Sequence, residues 1–466
     1  MLPDDVLLEI FDFYVDEDLE DESYKKDIEK WQRLVHVCHR WRSVVFRSPR
    51  RLNLQLLWTP GTPARGTLDV WPSLPILIPD YGSPTEDVDD ILAVLERSDR
   101  VVEINFYTRR DSELEDVLAA MQVPFPELTD LQLSSRDGMV SSLPDSFLGG
   151  SAPRLQSLSL ERIPFPGLPK LLLSAPHLVH LRLFNIPHSG YFSTEAIVAV
   201  LSTLTSLEGL GLVFESPLSR PDWAHRRLPP PTRSVLPVLT SFSFTGVCEY
   251  LEDIMTCISA PQLDRLSITL FNQIVFETLQ FIQFISRSPI SETFENAAVV
   301  FSKNGAMVRL SSQTSGYKSG HVTLEMSILC IELDWQVSSM EQVCTSCLPP
   351  LSMLEDLYIY ESPSQPVWKD NIENTLWLEL LRPFPAVKNL YLSEKFASLI
   401  TPALQELTGG STTEVLPSLQ NIYLDELPSG TVQAGIQQFA ATRQVTGHPI
   451  TVAHWYNFMK NNYVSY

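Results

Sequence analysis

A six-residue pattern, apolar-x-x-apolar-x-apolar, recurs nine times along the 466 residues and constrains the fold more than any other feature. The copies begin at Leu128, Leu155, Leu178, Leu207, Leu239, Leu263, Leu354, Val387 and Leu419. Their second and third apolar positions are Leu131 and Leu133, Leu158 and Leu160, Leu181 and Leu183, Leu210 and Leu212, Phe242 and Phe244, Leu266 and Ile268, Leu357 and Ile359, Leu390 and Leu392, and Ile422 and Leu424. The alternation at the end of each copy has the period of a strand with one buried face. Seven copies carry a proline two residues ahead of the first apolar position, at 126, 153, 176, 237, 261, 385 and 417. Proline cannot continue a helix and biases its predecessor toward extended geometry, so it marks a switch from helix to strand. Neighbouring copies lie 23 to 33 residues apart, except across the 91 residues from Leu263 to Leu354. A strand and a helix fill that spacing.

Helix-period segments occupy the intervals, at 194–204, 250–258, 276–286, 372–381 and 431–441. Val88, Ile91, Leu92 and Leu95 add a helix before the first copy, and residues 102–106 alternate as an earlier, degenerate copy. Inside the long interval, Asn304-Gly305 signals a hairpin because both residue types tolerate positive φ, and 321–328 alternate again. The predicted outcome is a two- or three-stranded excursion, with the regular pattern resuming near Leu329. This organisation resembles that of leucine-rich-repeat proteins. The resemblance implies an irregular α/β solenoid with parallel strands on the concave face and helices on the convex face. One departure is clear: where the family places Asn or Cys, three residues after the last leucine, the chain has Ile163, Ile186, Val247 or Leu427. The asparagine ladder of that position is absent, which predicts loose, uneven curvature.

The first 50 residues differ. Val6, Leu7, Ile10, Phe11 and Tyr14 share one face of a predicted helix over 2–14, with Pro3 in its first turn and Asp4 and Asp5 complementing its dipole. Leu34, Val37, Cys38, Trp41, Val44 and Val45 follow at helical spacing from Trp31 until Ser48-Pro49. Helices this short and apolar need a partner. Leu2-Pro3-Asp4-Asp5-Val6-Leu7-Leu8-Glu9-Ile10-Phe11, followed by 34–42, looks like an F-box, with Pro3, Leu7, Ile10, Phe11, Val37, Cys38, Trp41 and Arg42 matching the family pattern. The whole chain is similar to F-box and repeat proteins of mushroom-forming (basidiomycete) fungi. The resemblance implies that Leu2, Pro3, Leu7, Ile10, Phe11, Leu34, Val37, Cys38 and Trp41 bind a Skp-type adaptor, and through it a cullin. It also implies that the repeats bind a protein substrate for ubiquitination. The link from Asp12 to Lys30 is longer than usual, and its acidic run over 16–22 reads as a solvated loop. Residues 31–51 hold six arginines and no acid, either a solvated face or a means of steering toward an acidic adaptor.

Residues between the repeat leucines point to the opposite, outward face. That face reads Asp130, Gln132, Ser134, Ser157, Ser159 and Glu161, then His180, Arg182 and Phe184, with small residues and Arg265 in the middle. Tyr358, Tyr391 and Tyr423 recur in one phase beside Tyr360, Asn389 and Asn421. Strands about 4.8 Å apart would align these rings in a row. Arg182, Phe184, Arg265, Tyr358, Tyr360, Tyr391 and Tyr423 are therefore the substrate-binding candidates, against the alternative that tyrosine simply favours strands.

Composition narrows the partners. A formal charge of -22 opposes broad contact with phosphates, so neither nucleic acid nor an anionic membrane is expected. Six scattered cysteines, an acidic start without an apolar run and no N-x-S/T sequon fit an intracellular chain, cytoplasmic or nuclear. No catalytic residue, metal site or cofactor is expected. Cys344 and Cys347 form a lone C-x-x-C, the glycines at 61–66 lack the lysine of a phosphate loop, and His36, Cys38 and His39 read as core packing. The predicted organisation is an F-box over 1–50, a connecting or capping segment over 51–99, repeats over 100–440 with a hairpin excursion at about 290–330, and a cap over 441–466. The expected role is a non-catalytic substrate receptor of a Skp–cullin–F-box ligase; the alternative is a repeat scaffold with a degenerate F-box outside the ubiquitin system.

Overall fold

The computed structural model describes residues 2–16, 30–49, 51–58, 68, 73–79, 88–108, 110–136, 138, 142–165, 168–221, 233–271, 278–291, 294–311, 322–349, 351–362, 372–407, 415–425 and 430–454. The residues of the long N-terminal link from 17 to 29, and the glycines at 61–66, lie outside them. The chain divides into two compact units, Met1–Leu207 and Glu208–Tyr466. No helix among the described residues is long and apolar enough to cross a membrane.

The first unit opens with helices Asp4–Asp16, Lys30–Val35 and His39–Arg47. Parallel strands β1 (Leu56–Leu57), β2 (Ile76–Ile78), β3 (Val101–Thr108), β4 (Asp130–Ser135), β5 (Ser157–Glu161) and β6 (His180–Ile186) follow in order, each beside the last. Helices Val88–Leu95, Asp111–Ala120, Leu168–Leu172 and Thr194–Leu201 occupy intervals between or after them. The repeat leucines set the register: Leu131 lies opposite Leu158 and Leu158 opposite Leu181, with Leu133, Leu160 and Leu183 aligned likewise. All six are buried.

The second unit begins with the same rule. Strands β7 (Gly209–Phe214), β9 (Ser241–Gly246) and β11 (Arg265–Phe271) are parallel neighbours, while the short β8 (Ser234–Val235) and β10 (Ile258–Ser259) pair separately. The order then changes. β12 (Asn296–Ser302), β13 (Gly305–Ser311) and β14 (Val322–Leu329) form an antiparallel meander lying in the sheet itself. β14, the last of the three, pairs parallel to β11, and β12 pairs parallel to β15 (Asp356–Glu361). The segment expected to leave the repeat pattern is instead inserted into the sheet in reverse order. β16 (Asn389–Leu392), β17 (Asn421–Leu424) and β18 (Thr451–His454) continue in parallel, the last within the segment expected to be a cap.

The hairpin between β12 and β13 turns at Lys303-Asn304, with Ser302 opposite Gly305. Neither Asn304 nor Gly305 has a positive φ, so the expected reason for the turn does not hold. Gly305 serves a close approach: a Cβ there would collide with the Ile328 carbonyl oxygen. Gln336, fully buried, anchors the insertion by donating from Nε2 to the carbonyls of Ser302 at 3.0 Å and Cys330 at 2.9 Å. Its helix, Leu333–Gln342, packs on all three inserted strands. Helix Leu279–Ser286 is capped from its neighbour, since the buried Glu252 carboxylate accepts from the backbone N–H groups of Gln280 and Phe281 at 2.9 and 2.7 Å.

Candidate functional site

The N-terminal helices divide their apolar residues between two tasks. Phe11, Trp31, Leu34, Val35 and Val45 are buried, as is Leu7, and Phe11 meets Trp41 with ring centroids 4.8 Å apart. Leu7, Phe11 and Leu34, expected at the adaptor, are thus used inside the module. Left exposed are Leu2, Val6, Ile10 and Phe13, at 51%, 40%, 47% and 68%, and Val37 at 59%. Val6, Ile10 and Phe13 follow at i, i+4 and i+7, one stripe of the first helix. Arg40 ties that helix's start to His39–Arg47 by donating from Nε to Asp4 Oδ1 at 3.0 Å and from Nη2 to the Leu2 carbonyl. Arg51 pairs with Glu9 and, at 3.6 Å, with Asp12. These two arginines link the first helix to the segments that follow it at the surface, pairings the sequence did not reveal.

The helix predicted to run unbroken from Trp31 is two helices. Cys38 caps the second, its Sγ accepting from the Trp41 N–H at 3.5 Å. His36, Cys38 and His39 are exposed at this break, which corrects the core-packing expectation. Pro3, another adaptor candidate, is exposed, and Trp41 is half-buried. The described residues contain no cluster of three metal-ligating side chains. Cys344 and Cys347 are buried in a π-helical turn, and burial raises both thiols, Cys347 to about 11. Neither is a thiolate at neutral pH.

The outward face of β3 to β6 is a polar grid. Its rows are Glu103, Asp130, Ser157 and His180; then Asn105, Gln132, Ser159 and Arg182; then Tyr107, Ser134, Glu161 and Phe184. Glu161 accepts from Ser134 Oγ at 2.9 Å and Asn185 Nδ2 at 3.1 Å. Burial, with Asp130 next to it, raises the Glu103 carboxyl above its ordinary range. Arg182 is exposed and Phe184 half-buried.

The outward face of β15 to β17 carries aromatic and amide ladders. Tyr358, Tyr391 and Tyr423 stand in one register. Their rings stack at 4.2 and 4.5 Å between centroids, with interplanar angles of 13° and 10°. Tyr358 is only 7% exposed, whereas Tyr391 and Tyr423 are half-buried. Beside the rings, Asn389 Nδ2 donates to Asp356 Oδ1 at 2.7 Å and Asn421 Nδ2 donates to Asn389 Oδ1 at 2.8 Å. This amide ladder lies at a different position from the asparagine ladder of the family pattern. Burial raises the Asp356 carboxyl, while its hydrogen bonds to Asn389 and Tyr391 act in the opposite direction. Burial also raises Tyr391, with Tyr358 and Asp356 adding to the effect.

The remaining candidates stand apart from the stack. Tyr360, two residues beyond Tyr358, is engaged by Arg309, which also donates from Nε to Glu325 at 2.7 Å. Arg265 is exposed at the first residue of β11, opposite Ser241. Sequence phase therefore located the three stacked rings but did not show which side chains satisfy Tyr360 and Asp356.

Each unit holds a run of parallel neighbouring strands with helices in the intervals, and the outward strand faces carry the candidate binding residues. No protein-family model and no curated protein matches the sequence. Among solved structures, the leucine-rich repeat-containing protein LegL7 from Legionella pneumophila is similar, at 12% identity and a TM-score of 0.26, with 83% of this chain and 97% of that chain covered. The repeat description rests on this chain's own strand pairing.

Proposed function

We propose that the chain is a non-catalytic substrate receptor of a Skp–cullin–F-box ubiquitin ligase, docking a Skp-type adaptor through its N-terminal helices and a target protein through its repeats. The supporting observation is the exposed apolar stripe Leu2, Val6, Ile10 and Phe13, with Val37, on a module whose sequence resembles an F-box. Apolar side chains left half in water on a small helical module gain on the order of 1 kcal/mol each when covered, which offsets part of the cost of association. The ligase would act by proximity, raising the effective concentration of target near a recruited conjugating enzyme.

A second reading is a repeat scaffold whose F-box no longer docks. The burial of Leu7, Phe11 and Leu34 favours it, because those motif residues are consumed internally. Co-purification of the full chain with a Skp adaptor separates the two. Ile10→Lys lies on the exposed stripe, so it should abolish capture while leaving the melting temperature unchanged. A folded wild-type chain that captures no adaptor would leave the scaffold reading standing.

A further inference from the structure

Both ladders of the C-terminal repeats stop at β17. The strand beyond it in the described sheet, β18, places Ala453 opposite Tyr423 and Thr451 opposite Asn421. Tyr423 has Tyr391 stacked on one side, and the position of the next ring is held by a methyl group. Ala453 is itself half-exposed. The amide ladder runs in one direction: Asn389 turns its NH2 toward Asp356 Oδ1 and its carbonyl toward Asn421. Asn421 must then donate to Asn389, which leaves its own Oδ1 as the terminal acceptor, with no bond from any described residue. Among the described residues, no further ring stacks on Tyr423 and no donor reaches Asn421 Oδ1, two residues away on the same strand.

We propose that this end of the ladder is a binding slot over Ala453 for an aromatic residue of a partner polypeptide, its ring stacking on Tyr423 and its N–H donating to Asn421 Oδ1. The slot names the class of target segment that the repeats would take, and it rests on the reading of these repeats as a protein-binding surface. The strands already hold three rings near-parallel, 4.2 and 4.5 Å apart between centroids, and a fourth ring over Ala453 would continue that stack. An aliphatic side chain would cover the methyl group without matching the ring face. A ring without an adjacent donor would leave the Asn421 carbonyl desolvated and unpaired.

The test is selection of random twelve-residue displayed peptides on the full-length protein, followed by affinity measurement of the enriched ones. Selected peptides should share a Phe, Tyr or Trp, and replacing that residue by Leu should weaken binding about tenfold. Ala453→Tyr, which fills the slot with the chain's own ring, should weaken binding at least as much, whereas Ala453→Ser should leave it unchanged. Melting curves of both variants exclude unfolding as the cause. Enriched peptides without aromatic preference, no enrichment at all, or undiminished binding to Ala453→Tyr would overturn the proposal. So would binding seen only in a chain ending at His454, because residues 455–466 would then be the occupant. Adaptor capture, measured on the same preparations, reports on the N-terminal module. Its failure beside intact aromatic binding would count against the ligase role alone.

Discussion

On β3 to β6 the outward residues change from strand to strand, Glu103 beside Asp130, Ser157 and His180, whereas on β15 to β17 they repeat as Asn or Asp, then Tyr. Beneath both faces lie buried apolar residues, mostly leucines, at the same phase. The difference teaches that inward positions specify strand and register, while outward positions are free to be individual or periodic. Where they are individual, each polar group needs its own partner, as Glu161 finds Ser134 and Asn185. Where they are periodic, one solution is copied sideways and cross-strand pairs become continuous ladders.

The comparison breaks first if the shared core is not shared. Leu158→Ala and Leu390→Ala, both at fully buried positions, should each cost about 2–5 kcal/mol in denaturant titrations. A cost below about 1 kcal/mol at either position would mean that one array does not depend on its leucines. Next, Tyr391→Ala removes both stacking contacts at once, so it should cost about 1–3 kcal/mol beyond its buried area. Tyr423→Ala, which loses one contact, should cost less. Equal costs would show that the rings act singly.

A pH series sharpens the contrast, because each face holds one carboxyl raised mainly by burial, Glu103 and Asp356. A raised folded value means that the acid's favourable contribution is full below its unfolded value and is lost as pH rises through the folded one. Asp356→Asn should therefore stabilise the protein at neutral pH and lose that advantage below the ordinary carboxyl value of 3.8. Glu103→Gln should behave alike, except that Asp130 adds repulsion there. Unfolding midpoints from pH 3 to 8 in the two variants would decide it; a gain independent of pH contradicts the assignment. Smallest of all, Arg182→Ala at an exposed position should change stability by less than about 0.5 kcal/mol, so any loss of target binding there reports contact rather than folding.

Much of this architecture was legible because the repeat leucines encode inward and outward faces directly. The tyrosine row followed from phase alone, since Tyr358, Tyr391 and Tyr423 occupy one position of three successive copies. The amide ladder was half legible: Asp356, Asn389 and Asn421 stood in one phase, but hydrogen bonding between side chains depends on rotamers, which periodicity does not carry. At the N-terminus, periodicity identified an apolar helix face but could not assign it. Leu7 and Phe11 meet their own module while Val6 and Ile10 meet solvent, and helical spacing places all four together. Strand order was the least legible. The alternation at 321–328 predicts a strand, yet nothing local says that it lies beside β11 rather than beside β15.

That reversed insertion has a kinetic consequence. In the simple part of the array a strand finds its neighbour after one repeat, as Ser134 finds Glu161 across 27 residues. At the insertion, Ser267 must find Glu325 across 58 residues before β11 is covered. Zipping from either end, one repeat at a time, halts there, because β12 to β14 have to enter together. Closing so large a loop ahead of its reward slows assembly and joins strands β11 to β15 into one cooperative block. Hydrogen exchange should find that block opening as a unit, and deletion of a single repeat, tolerable elsewhere in such arrays, should fail within it.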